Sequence, residues 1–132
     1  GASLDPSQTS AAAEKTDTEP LPNVVLPGWG MITVEADRQD ITEGIDLYNP
    51  KENEGHYNLS FEILVDTDGS GNYRSLYKSG LVEPGNHIYS VHLSESLRQG
   101  VYNARIFMQP YDVSGVREGL NNGAVDVQIT AE

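Results

Sequence analysis

From Tyr57 to Val65 the chain places Tyr57, Leu59, Phe61, Ile63 and Val65 at every second position, with Asn58, Ser60 and Glu62 between them. Neighbouring side chains of an extended strand point to opposite faces, so this spacing gives one apolar face and one wetted face. Wound into a helix, the same five residues would scatter around the axis and bury nothing. The stretch therefore commits the chain to a half-buried sheet. A second stretch repeats the pattern over 101–111, with Tyr102, Ala104, Ile106 and Met108 inward. Five shorter strands are expected at 31–36 (Ile32 and Val34 inward), 44–49 (Ile45 and Leu47 inward), 74–79, 87–93 and 123–130 (Val125, Val127 and Ile129 inward). In 87–93 the residues Ile88, Val91 and Leu93 do not share one parity, which predicts a bulge or twist. Gly, Pro, Asn and Asp punctuate these runs. Glu83-Pro84-Gly85-Asn86 suits a type II turn, and Asn49-Pro50 ends a strand because proline cannot continue a ladder. No segment holds a helical period over three turns, and 94–100 is at most one turn. The expected fold is all-β, a sandwich of about seven antiparallel strands.

The domain is expected to span 24–132. Residues 1–23 carry Ala, Ser, Thr, Pro and Asp with almost no bulky apolar side chains, too little to offset the entropy of ordering, and are expected to form a flexible linker or tether. At 132 residues the chain has room for one core. Twenty acidic residues against eight basic ones give a formal charge of −12, which opposes binding to nucleic acid and to anionic headgroups. With no run of about 18 apolar residues, no direct membrane insertion of this segment is expected. The absence of cysteine removes disulfides, thiolate metal sites and cysteine nucleophiles at once, and fits a Gram-positive surface protein. A monomer is expected.

Residues 66–72, DTDGSGN, come nearest to a chemical motif. Asp66, Asp68, Ser70 and Asn72 sit at alternate positions, as in the opening of a calcium loop of the EF-hand type, where alternate oxygens face inward and a glycine permits the sharp bend. The closing ligand is missing: Tyr77 stands where a bidentate Glu belongs, and Arg74 stands where an oxygen belongs. The first reading is thus a polar loop of turn formers, and a weak calcium site is the second; otherwise no cofactor is expected. Trp29, within Pro27-Gly28-Trp29-Gly30, reads as a lid over the edge of the fold and secondly as part of a sugar platform with the tyrosines. His56, His87 and His92 read as surface residues, not metal ligands. No G-x-S-x-G or other nucleophile context occurs, and Asn58-Leu59-Ser60 lies inside a strand, so its glycosylation signal is discounted.

Leu97-Arg98-Gln99-Gly100-Val101-Tyr102-Asn103-Ala104 has the form L-x-x-G-x-Y-x-A. It resembles the tyrosine corner of immunoglobulin-like and fibronectin type III domains, in which a Tyr opening strand F returns its hydroxyl to the backbone upstream. Leu97, Gly100 and Tyr102 would be the structural corner. Ala104 takes the place of the second cysteine of antibody domains, and Phe61 stands in for the strand C tryptophan. A broader likeness runs over about 26–131 through LPGWG (26–30), LYNPKEN (47–53), LYKSGLVEPGNHI (76–88) and LRQGVYNARI (97–106). These blocks resemble a family of uncharacterised Firmicutes-type surface proteins and lipoproteins. The resemblance implies an exported immunoglobulin-like module tethered to membrane or wall through its N-terminal segment, and lends no activity. Immunoglobulin-like order would put loops 49–56 and 112–122 at one pole beside the incoming chain, and DTDGSGN with the LRQG corner at the other. The function expected is a non-catalytic, extracellular binding or spacer module whose partner is an unknown extracellular protein or glycan. The first alternative is a carbohydrate-binding module, which needs an exposed aromatic row or loop cleft. The second is a hydrolase, which needs two facing carboxylates in a concave site.

Overall fold

The computed structural model describes residues 3–10, 24–113 and 122–132. The two strongly alternating stretches form adjacent strands at the centre of the largest sheet. In chain order the strands are β1 (Thr9–Ser10), β2 (Met31–Val34), β3 (Asp40–Ile41), β4 (Leu47–Tyr48), β5 (Tyr57–Val65), β6 (Arg74–Lys78), β7 (Asn86–Ile88), β8 (Val91–His92), β9 (Gly100–Asp112) and β10 (Gly123–Ala131). A single 3-10 turn, Lys51–Asn53, interrupts them, and there is no α-helix among the described residues. The protein is all-β.

The main sheet has the order β2-β10-β9-β5-β6, antiparallel except for β2, which runs parallel to β10. Two smaller sheets, β1-β7-β4 and β3-β8, complete the fold. One core joins them. Leu59, Phe61, Ile63 and Val65 of β5, Ala104, Ile106 and Met108 of β9, and Ile32, Val34, Val127 and Ile129 join Ile41, Leu47, Ile88 and Val91 of the smaller sheets and Ile45 between β3 and β4. The expected inward residues of 31–36, 44–49, 56–66 and 101–111 are thus at least partly buried.

Three features depart from the expectation. The strand expected at 87–93 is two strands, β7 and β8, separated by exposed Tyr89 and Ser90. The strand expected at 44–49 shrinks to β4, while an unforeseen β3 pairs with β8. Leu47 faces Ile88 and Ile41 faces Val91, so five residues (42–46) bulge out opposite two (89–90). The parity break at Ile88 and Val91 is the trace of that bulge in the sequence. Gly44 sits in it at φ 87°, where a Cβ would fall 1.9 Å from the Thr33 carbonyl oxygen, so only glycine lets the bulge lie against β2.

The third departure concerns the linker expected over 1–23. Residues 3–10 pack against the domain. Leu81 N–H donates to Ser3 O and Asp5 N–H donates to Leu81 O, both at 2.8 Å, and β1 pairs with β7. Asp5 is buried, accepting from the amide and hydroxyl of Ser7 and, through its other oxygen, from Gly80 N–H. Residues 11–23 of that linker lie outside the described residues, as does most of the loop 112–122.

The pairing sets which loops meet. Tyr57 faces Asp112, so loop 49–56 lies at the end where β9 finishes; Val25 is bonded to Asn53 there. Val65 faces Ala104, Asp66 N–H donates to Asn103 O, and Arg74 pairs with Glu95 at 3.4 Å. DTDGSGN and the corner before β9 therefore occupy the opposite end.

Candidate functional site

Tyr48 on β4 and His87 on β7 are direct cross-strand partners, and Tyr89 follows His87 by two residues. The sheet thus lines their rings up on one side. Tyr48 stacks on His87 with centroids 5.3 Å apart and planes at 23°, and His87 stacks on Tyr89 at 5.2 Å and 9°. Trp29 closes the row edge-on to Tyr48 at 6.2 Å, and its other edge contact is buried Phe61 at 6.3 Å. The Trp29 indole N–H donates to Asp46 O at 2.7 Å, and the Asp46 carboxylate meets His87 Nδ1 at 2.7 Å. Asp46 thereby ties Trp29, at one end of the row, to His87 within it. Trp29, Tyr48 and His87 are half-buried, and Tyr89, at the outer end of the row, is 47 % exposed. Trp29 acts as the expected lid over the core while also carrying the exposed rings.

Beside the row lies a hollow of about 400 Å³ lined by Leu26, Pro27, Tyr48, Pro50, Glu52 and His87, among others. Its frame is polar and buried. Asn49 donates its amide N–H groups to Tyr57 O at 3.0 Å and Val82 O at 2.9 Å, and accepts from Asn53 at 2.8 Å. Asn53 in turn donates to Val25 O and accepts from Val25 N–H, holding the incoming chain as a strand partner would. Aromatic surface with hydroxyls and a carboxylate at its edge is suited to a ligand having both C–H faces and hydroxyl groups. Sequence reading named Trp29 and the tyrosines but missed the row, because residues 29, 48, 87 and 89 converge only through the β4–β7 pairing.

In the DTDGSGN loop the side chains turn back on the backbone. Asp66 Oδ2 accepts from Gly71 N–H at 2.9 Å, Asp68 Oδ1 from Ser70 N–H at 3.0 Å, and Ser70 Oγ from Asn72 N–H at 3.2 Å. Hydrogen bonds from the Ser70 hydroxyl and then the Ser70 amide hold the Asp68 carboxyl below its ordinary range. Asp66 is only 7 % exposed, and its Oδ1 is buried without a hydrogen-bond partner. Tyr77, the residue at the closing position, lies in β6; burial, aided by the charge of Asp5, pushes its hydroxyl up to about 12.

At the corner, the Tyr102 hydroxyl donates to Arg98 O at 2.7 Å, Leu97 enters the core, and Gly100 opens β9 against the Tyr102 ring. The histidines do not gather: His87 pairs with Asp46, His92 pairs with Asp40 at 2.7 Å, and His56 is buried. Among the described residues no three His, Asp or Glu side chains are grouped to hold a metal. Four carboxylate residues, Glu35, Asp40, Glu43 and Glu132, line a separate hollow of about 340 Å³, where Arg38 holds Glu35 at 3.6 Å and His92 holds Asp40.

No helix among the described residues is long and apolar enough to cross a membrane. Compared with models of protein families, with curated proteins and with solved structures, the chain matches none.

Proposed function

We propose that this chain is a non-catalytic binding module of an exported bacterial surface protein, built as an immunoglobulin-like sandwich, with carbohydrate as its ligand class. Support for the sandwich comes from strand order. β2, β10, β9, β5 and β6 follow one another as A′, G, F, C and C′ would, while β4 pairs with β7 as B with E. The Tyr102 hydroxyl on Arg98 O is the corner such a fold places at the start of strand F. The observation that carries the ligand class is the Trp29–Tyr48–His87–Tyr89 row beside its hollow. A net charge of −12 disfavours anionic polymers, so neutral glycans are the ligands expected, bound with ring C–H groups against Tyr89 and hydroxyls toward Asp46 and Glu52.

The chain holds one tryptophan, and it closes the end of this row opposite Tyr89, so its emission reports changes passed along the stacked rings. Titration with neutral oligosaccharides is expected to change Trp29 fluorescence saturably, with Tyr89→Ala weakening binding about tenfold, equivalent to ~1.4 kcal/mol. Unchanged affinity in Tyr89→Ala, or no saturable binding by any neutral glycan at millimolar concentration, would overturn the carbohydrate reading.

A further inference from the structure

We propose that loop 66–72 binds a calcium ion through the carboxylates of Asp66 and Asp68 and the oxygens of Ser70 and Asn72, independently of the aromatic row. Asp66 carries the argument. Its Oδ2 is engaged by the Gly71 amide across the loop, which aims the carboxylate into the turn, while Oδ1 is buried with no donor. A buried carboxylate oxygen without a donor is costly, and a hard cation is the partner that suits it. The remaining oxygens lie at the alternate positions that line such a loop, and Gly71 holds φ 87°, the bend that a side chain would resist. The loop is anchored on both sides, by Asp66 N–H to Asn103 O and by entry into β6 at Arg74.

The ligand set is short of a bidentate carboxylate, since the closing position is Tyr77 and nearby Glu95 is held by Arg74. Water must complete the shell, so affinity belongs with extracellular modules at roughly 10⁻⁴–10⁻³ M. Magnesium, which demands a tight octahedron and gives up water reluctantly, should bind less well.

The test is thermal unfolding and calorimetric titration of the whole chain at constant ionic strength, because any salt relieves repulsion in a chain this acidic. At about 10 mM, CaCl2 is expected to raise Tm by roughly 5–10 °C and MgCl2 by clearly less. Asp68→Asn, at an exposed residue, is expected to abolish the calcium response, while Glu35→Gln, remote from the loop, retains it. Asp66→Asn should also lose it; if that variant fails to fold, Asp68→Asn decides. An equal rise with magnesium, an undiminished rise in Asp68→Asn, or no heat and no shift with calcium would overturn the site.

Discussion

Asn49 and Asn53 are among the most deeply buried residues of the molecule, yet each is polar. Their burial is tolerable because their amides meet the carbonyls of Tyr57, Val82 and Val25 and each other. Removing one partner strands the others. Asn49→Ala is expected to destabilise the fold by about 2–4 kcal/mol, more than a neutral hydrogen bond is worth, because the Tyr57 carbonyl and one Asn53 amide N–H lose this partner together, while Val82 O keeps Leu59 N–H and Asn53 keeps Val25 O. Denaturant unfolding measures it; a loss below about 1 kcal/mol would mean that water replaces the side chain without penalty. At this scale the sequence was only partly legible. Asn49-Pro50 reads correctly as the end of a strand, but nothing in the spacing of two asparagines shows that they turn inward.

Among the elements, the segment 3–10 is the one that composition misreads. Its residues are small and polar, so hydrophobic burial predicts no order, but docking here rests on backbone pairing to Leu81 and on one carboxylate. Gly80 makes the approach possible, since a Cβ there would lie 3.0 Å from Asp5 Cα. Burial alone would raise the Asp5 pKa, but the bonds from Ser7 and Gly80 outweigh it and hold the group below its ordinary value of 3.8. With the folded value depressed, this contribution is full above about pH 4 and is lost as pH falls through the lowered pKa. Protection of the Leu81 amide, relative to an unstructured amide at the same pH, should therefore fall in strong acid, and Asp5→Ala should lower it at neutral pH while leaving amides of β9 protected. Equal protection of Leu81 in both proteins would show that the carboxylate does not hold the segment. The strands β5, β9 and β10 were readable because period two survives over many residues; β3 was not, and β4 was read only within a longer strand at 44–49, since two residues hold no period and the bulge at 42–46 erases register.

For the whole molecule, the governing quantity is charge. The ion pairs that the structure forms are mostly exposed, such as Arg38 with Glu35 and Lys78 with Glu62, and contribute little, so at a net −12 repulsion outweighs them. Raising NaCl from about 20 to 300 mM should increase Tm, because the Debye length shrinks below the spacing of most surface carboxylates. A fall in Tm would assign the stability to the ion pairs instead. The all-β class was open to reading from the alternation alone, while the aromatic row was not, because it is assembled from segments roughly twenty to forty residues apart and the chain carries no signal of which strands will neighbour each other.

The parallel pairing of β2 with β10 has a mechanical meaning. Tension applied between the chain entering Met31 and the chain leaving Ala131 drags the two strands past one another lengthwise, loading the bonds between 31–34 and 128–131 simultaneously. Such a joint fails by shear, not by unzipping, so rupture needs many bonds to break at once and unfolding under load is slow. A module standing in flowing liquid would keep its shape for that reason.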